Sequence, residues 1–281
     1  MAGFVSPQQL LEPPQSHETL ISLPDTDGFE ALPAELRNEI YRHALVVEPY
    51  NITLNDQGRA RASDAEREAA LALRSFGLIR RIFTEAKALF WAENKFRVSD
   101  DGDFPTGAAR AFLRAIGLPG RSLVQHLELV YTDPSVPSVF ALATDHTSCE
   151  WARGLIYIGT MLRLCESIKF FHLDLDLRQL VSREVSTEEI KWYLDQLYLR
   201  PKNKLLAEIP ARLSSRSFAK SIINLRHIDT LQILELTWKN CSQGVVVPFW
   251  DENRQILEDG VTKYFRSQMR PGCKVVVKKY G

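Results

Sequence analysis

The chain has 281 residues, 45% hydrophobic and 25% charged, with 35 basic residues against 35 acidic ones. That composition is globular rather than disordered or fibrous, and its neutral balance argues against nucleic acid as the main partner, because phosphate binding needs a clustered positive surface. No run of about 18 apolar residues is present, so no membrane span and no membrane partner are expected.

Residues 1–28 hold Pro7, Pro13, Pro14 and Pro24 among glutamines, serines and acids, with no apolar period. They read as a disordered or loosely attached arm. The first basic residue is Arg37, so this N-terminus has neither the basic start of a signal peptide nor the arginines of a transit peptide. Cys149, Cys165, Cys241 and Cys273 lack C-x-x-C spacing and read as free thiols of a reducing compartment. The sequons at Asn51 and Asn240 are then expected to stay unmodified, and the expected location is cytoplasmic or nuclear.

Residues 29–47, FEALPAELRNEIYRHALVV, are the most strongly patterned stretch. Pro33 suits a helix start, where its missing N–H costs nothing. Leu36, Ile40, Ala44 and Val47 then recur at helical spacing, with Leu32 one turn ahead, as a single apolar stripe. Glu35, Arg37, Asn38, Glu39 and Arg42 are expected on the opposite, solvent side, and Pro49 ends the helix. Tyr50, Ile52 and Leu54 alternate as a short extended piece before an Asp56-Gln57-Gly58 turn. Ser63 or Asp64 can cap a long helical stretch reaching Trp91, with Gly77 as a break.

From Lys95 the texture changes. Short apolar–polar–apolar runs centre on Arg97, Glu128, Asp174, Glu235 and Val276, with helical periodicity at about 106–116, 151–165, 187–198 with 214–224, and 251–269. Each interval fits a helical crossover between parallel neighbours, so the expected class is α/β. Alternation along each run suggests one sheet face open to water. This favours an irregular leucine-rich-repeat-like arc of parallel strands with helices on one side. Alignment by central residues puts Arg97, Glu128, Asp174, Glu235 and Val276 in one row, and an acidic sheet face of Glu128, Asp174, Asp176 and Glu235 follows.

Several groups could carry chemistry. His172, Asp174 and Asp176 share a strand face and could bind a metal or share a proton, although a solvated strand face is the simpler reading. His146 and Cys149 have no second pair to complete a metal site. Glu85, beside Arg80, Arg81 and Lys87, reads as a helix-surface ion pair. Phe249, Trp250 and Trp238 fit core packing or an interaction patch. Phosphate-binding loops, nucleophile elbows and zinc-protease signatures are absent, so no catalytic residue, metal ligand or cofactor site is assigned, and a non-enzymatic protein is expected.

The wording of residues 32–41, LPAELRNEIY, resembles the opening of fungal F-box-like proteins of the LPxELRxxIY type. Residues 78–98 are similar to a second block of that family, through Arg80, Ile82, Glu85, Ala86, Phe90 or Trp91, Asn94 and Phe96. The resemblance implies an F-box-like helical unit over residues 29–94, followed by the leucine-rich-repeat-like region over 95–281. It also implies docking on a Skp-type adaptor of a cullin ubiquitin ligase through Leu32, Pro33, Leu36 and Ile40, with an unknown protein substrate held by the second part. The alternatives are a scaffold with no ligase link, or a metal- or ligand-binding protein using the acidic strand face. The apolar stripe could also be consumed against the 64–92 helices.

Overall fold

Two rows of apolar side chains run across one sheet and set the architecture. The computed structural model describes residues 27–54, 60–62, 64–76, 80–100, 106–131, 158–175, 187–188, 190–191, 194–195, 225–238 and 248–279. In chain order the elements are α1 (Asp27–Glu30), α2 (Ala34–Leu45), β1 (Tyr50–Leu54), β2 (Ala60–Ala62), α3 (Asp64–Ser75), α4 (Arg80–Glu93) and β3 (Lys95–Asp100). Then come α5 (Thr106–Ala115), α6 (Gly117–Arg121), β4 (His126–Tyr131), β5 (Phe170–Leu175), β6 (Ile233–Trp238), α7 (Pro248–Gln268) and β7 (Lys274–Lys279).

The chain is α/β. Among the described residues, seven strands form one sheet in the order β2-β1-β3-β4-β5-β6-β7, parallel throughout except for the antiparallel β1–β2 pair. From β1 through β3 to β7, spatial order follows chain order. The register aligns Tyr50, Phe96, Leu127, Phe171, Leu234 and Val275 in one row, and Ile52, Val98, Leu129, Leu173, Leu236 and Val277 in the next. Side chains two apart on a strand share a face, so both rows lie on the same side. Their central members, Phe96 to Leu234 and Val98 to Leu236, are fully buried. Helix residues Phe90 and Trp91 of α4, Phe112 and Leu113 of α5, and Leu257, Val261 and Phe265 of α7 complete the same core. Gly117, at φ 62, breaks the chain direction between α5 and α6 at the αL position that glycine takes without strain.

The segment 29–94 supplies strands as well as helices. β1 pairs with β3 through Tyr50–Phe96 and Ile52–Val98, so the sheet runs through the 94/95 boundary. Aromatic packing crosses it too: Phe96 lies 5.1 Å from Trp91 and 5.4 Å from Phe112, centroid to centroid.

Two expectations need correction. The second sheet face is not open to water at its centre: His172, Asp174, Glu235 and Thr237 are all under a tenth exposed. Alternation reports which face takes the apolar core. It does not report whether the polar face is wet, since polar groups that bond one another can be buried. The row of three acids also does not form. β5 begins at Phe170, which sets His172 between Glu128 and Glu235 and moves Asp174 beside Thr237. A slip of two residues leaves every side chain on its own face, so apolar patterning along Phe171, Leu173 and Leu175 cannot distinguish the two registers.

Of the arm expected over 1–28, Asp27 and Gly28 instead begin α1, and residues 1–26 lie outside the described residues, as do Asp176, His146, Cys149, Cys241, Asn240, the helix at 214–224, and the side chains of Phe249 and Trp250. Cys165 and Cys273 are free thiols, and burial pushes Cys165 up to about 12. No described helix is long and apolar enough to cross a membrane.

Candidate functional site

Helix α2 and the elements that hold it make the first candidate. Pro33 precedes its first residue with φ −51 and ψ 146, an extended entry compatible with proline. The buried side of the helix is Arg37, Tyr41 and Leu45. Arg37, expected on the solvent side, is only 7% exposed. Its guanidinium donates from Nε and Nη2 to the two Glu85 oxygens, both at 3.0 Å, and from Nη1 to the carbonyls of Leu32 (2.6 Å) and Glu30 (3.3 Å). Such a planar fork on a carboxylate fixes direction as well as distance.

Glu85 is therefore more than a local helix-surface pair, although Arg81 also approaches it at 3.5 Å. The hydrogen bonds from Arg37 hold its carboxyl below the usual range, against the opposing effect of burial. Tyr41 adds a 3.4 Å hydroxyl contact to Glu85, and its ring packs edge-on against Phe76 at 5.2 Å. Burial, with Glu85 nearby, raises the Tyr41 hydroxyl pKa. At the other end of the helix, Asn94 is fully buried. Its amide donates to the carbonyls of Leu45 (3.0 Å) and Phe90 (2.8 Å), while its oxygen accepts from the Val47 N–H (2.8 Å). Arg42 and Glu93 add an exposed bidentate pair. Residues 32–41 and 78–98 are thus joined by Arg37–Glu85 and Tyr41–Glu85, and the end of α2 is tied to the same block by the Asn94 bonds.

With Arg37, Tyr41 and Leu45 turned inward, the apolar stripe is rotated outward. Leu36 is 51% exposed and Ile40 39%; Pro33 is exposed and Leu32 half-buried. Ala44 and Val47 are half-buried and pack on the core. Leu36 and Ile40, one helical turn apart, are not consumed by the 64–92 helices.

The polar sheet face is the second candidate. Glu128 accepts from Arg97 Nε and bonds His126 Nε2, each at 2.9 Å. Burial pushes its carboxyl up, but the His126 and Arg97 bonds and the guanidinium charge outweigh it and bring it to about 2. His172 bridges β5 and β6: Nδ1 lies 2.8 Å from Glu235 Oε1 and Nε2 lies 2.8 Å from Asp174 Oδ1. Burial opposes its charge, yet the two carboxylates prevail and raise its pKa. Lys278 reaches Glu235 at 2.9 Å. The structure brings Glu235 and Asp174 together through His172 and leaves Glu128 in a separate cluster. Among the described residues, no three His, Cys, Asp or Glu side chains are placed to hold a metal ion.

Sequence reasoning grouped His172 with Asp174, which it does meet, but missed Glu235 as its second partner, and it assigned no role to Tyr41 or Asn94. Periodicity carried no signal for the burial of Arg37, whose partner Glu85 lies 48 residues away. No family model matches the chain, and no curated protein or solved structure matches it.

Proposed function

We propose that this chain is a non-enzymatic, F-box-like interaction protein whose helix α2 docks on a Skp-type adaptor, leaving the leucine-rich-repeat-like sheet region to hold a protein substrate. One observation carries the reading. Leu36 and Ile40 stay on the surface while the opposite side of the same helix is clamped by Arg37–Glu85 and Asn94. A rigid helix with an apolar i, i+4 pair outward suits insertion into a groove. Leu32 and Pro33 extend that surface at the helix start. Parallel strands laid down in chain order support the arc-like reading of the remainder.

The test is a pull-down of a purified Skp-type adaptor by the full chain, beside the double substitution Leu36→Asp and Ile40→Asp. Capture by the wild type, loss in the variant and an unchanged melting temperature are expected. A variant that binds as well as wild type, or an adaptor that never binds, sinks the ligase reading.

A further inference from the structure

The sheet has two ends, and they differ. β2 is three residues long, and a short edge strand is one way a fold blunts an open edge. β7 has six residues, Lys-Val-Val-Val-Lys-Lys, rich in β-branched side chains, and β6 is its one strand neighbour among the described residues. The Lys274 N–H donates to the Gln232 carbonyl at 2.8 Å, which sets the phase of the ladder. In a parallel pair the backbone groups of alternate residues face the same neighbour. Lys274, Val276 and Lys278 therefore turn theirs toward β6, while Val275, Val277 and Lys279 turn theirs to the outer edge. Val275 and Val277 also pack on the core, so their side chains hold the edge in strand geometry.

The sequence leading into this edge carries one sign of charge, although Glu235 on β6 contacts Lys278 from the inner side. The whole chain is neutral, yet residues 260–281 hold Lys263, Arg266, Arg270, Lys274, Lys278 and Lys279 with no aspartate or glutamate. Lys274 is exposed, and Lys278 remains 62% exposed while it contacts Glu235. We infer that β7 is a docking edge for an extended acidic segment of another protein, which adds to the sheet as a further strand. Main-chain hydrogen bonds to Val275 and Val277 supply affinity, and the lysines select the charge. A second copy is disfavoured by the same residues. Antiparallel pairing centred on Val276 sets Lys274 of each copy against Lys278 of the other, and like charges directly opposite are destabilising.

Fluorescence anisotropy of a labelled peptide alternating glutamate and valine, titrated with the full chain, tests the inference. Its comparators are the same peptide N-methylated at alternate amides, a lysine–valine peptide and a single-stranded oligonucleotide. Saturable binding of the acidic peptide is expected, weakened at least about tenfold by N-methylation and falling as salt rises. Val277→Pro removes an outward N–H and no bond to β6, so it should abolish binding with little change in melting temperature. Val276→Pro breaks a β6 bond and serves as the destabilised reference. Should Val277→Pro unfold, Lys274→Glu decides instead, by weakening the acidic peptide and admitting the lysine one. Equal binding of the N-methylated peptide, tighter binding of the oligonucleotide than of the peptide, or no saturable binding would each overturn the inference.

Discussion

His172 sits between two carboxylates contributed by two strands, and the fold favours its charged form. A raised imidazole pKa adds stability that is complete below about 6.5 and is lost as pH rises through the folded value. The melting temperature should therefore decline above about pH 6.5, and ring-proton NMR should place the His172 titration above that of a free imidazole. The groups facing it are Asp174 on its own strand, Glu235 on β6 with Lys278 behind it, and Glu128 in register on β4. His172→Gln should erase the alkaline slope. It should also cost about 3–5 kcal/mol at neutral pH, because a cation between buried carboxylates is removed. A titration at or below the free-imidazole value would refute the assignment. Glu128 works in the opposite direction. Its carboxyl, held at about 2, adds stability that is present above about 4.5 and lost as pH falls through the folded value. The upper bound is about 3 kcal/mol, reduced by solvent screening on the exposed side of Arg97. Acid unfolding of Glu128→Gln should lack this part of the pH dependence. An acid limb unchanged from wild type would show that the Arg97–Glu128–His126 cluster adds nothing.

Helix α2 shows what periodicity can and cannot read. Its start at Pro33, its end before Pro49 and its apolar stripe are legible in residues 29–47, and the helix spans Ala34–Leu45. The inward face is not legible, because a hydrophobic count ranks Leu36 and Ile40 above Arg37. Arg37 wins the buried position through Glu85, a partner 48 residues away, and through two carbonyls left open where the chain enters the helix. Long-range pairing of that kind leaves no local pattern. The strands teach the same lesson: alternation identified which residues of β3 to β7 face the core, while the position of β5 against β4 and β6 depends on contacts between distant segments. A pair of substitutions separates the two faces of α2. Leu45→Ala, at a fully buried site, should cost about 2–5 kcal/mol. Leu36→Ala, half in solvent, should change stability by less than about 1 kcal/mol. Thermal melts of both variants decide. A large loss from Leu36→Ala would mean that the stripe is needed by the monomer and is not free for a partner.

At the scale of the molecule, the boundary between the two sequence textures at residue 95 is not a gap in the structure. β1 is hydrogen-bonded to β3, the Asn94 side chain ties the end of α4 to the end of α2, and Lys95 reaches back to Glu48 at 2.8 Å. Apolar packing is continuous as well: Tyr50, Phe90, Trp91, Phe96 and Phe112 form one aromatic cluster drawn from both sides of the boundary. Cutting between 94 and 95 would expose the β3 edge and strip Phe96 of its neighbours in α4 and β1. The burial lost with one large aromatic alone is worth about 3–5 kcal/mol, comparable to the whole stability of a marginal domain. Calorimetry of the intact chain should therefore show residues 29–100 melting in one cooperative transition, with a calorimetric enthalpy matching the van't Hoff value for that step. A fragment ending at Asn94 should give no sharp transition on its own, and a fragment beginning at Lys95 should melt earlier than the intact chain or fail to fold. Mixing the two fragments should recover part of the lost stability, because the missing strand and aromatic surface are supplied in trans. Two well-separated transitions in the intact chain, or a cooperative melt of the N-terminal fragment alone, would mean that the helical block is an autonomous unit and that the shared sheet adds little to either part.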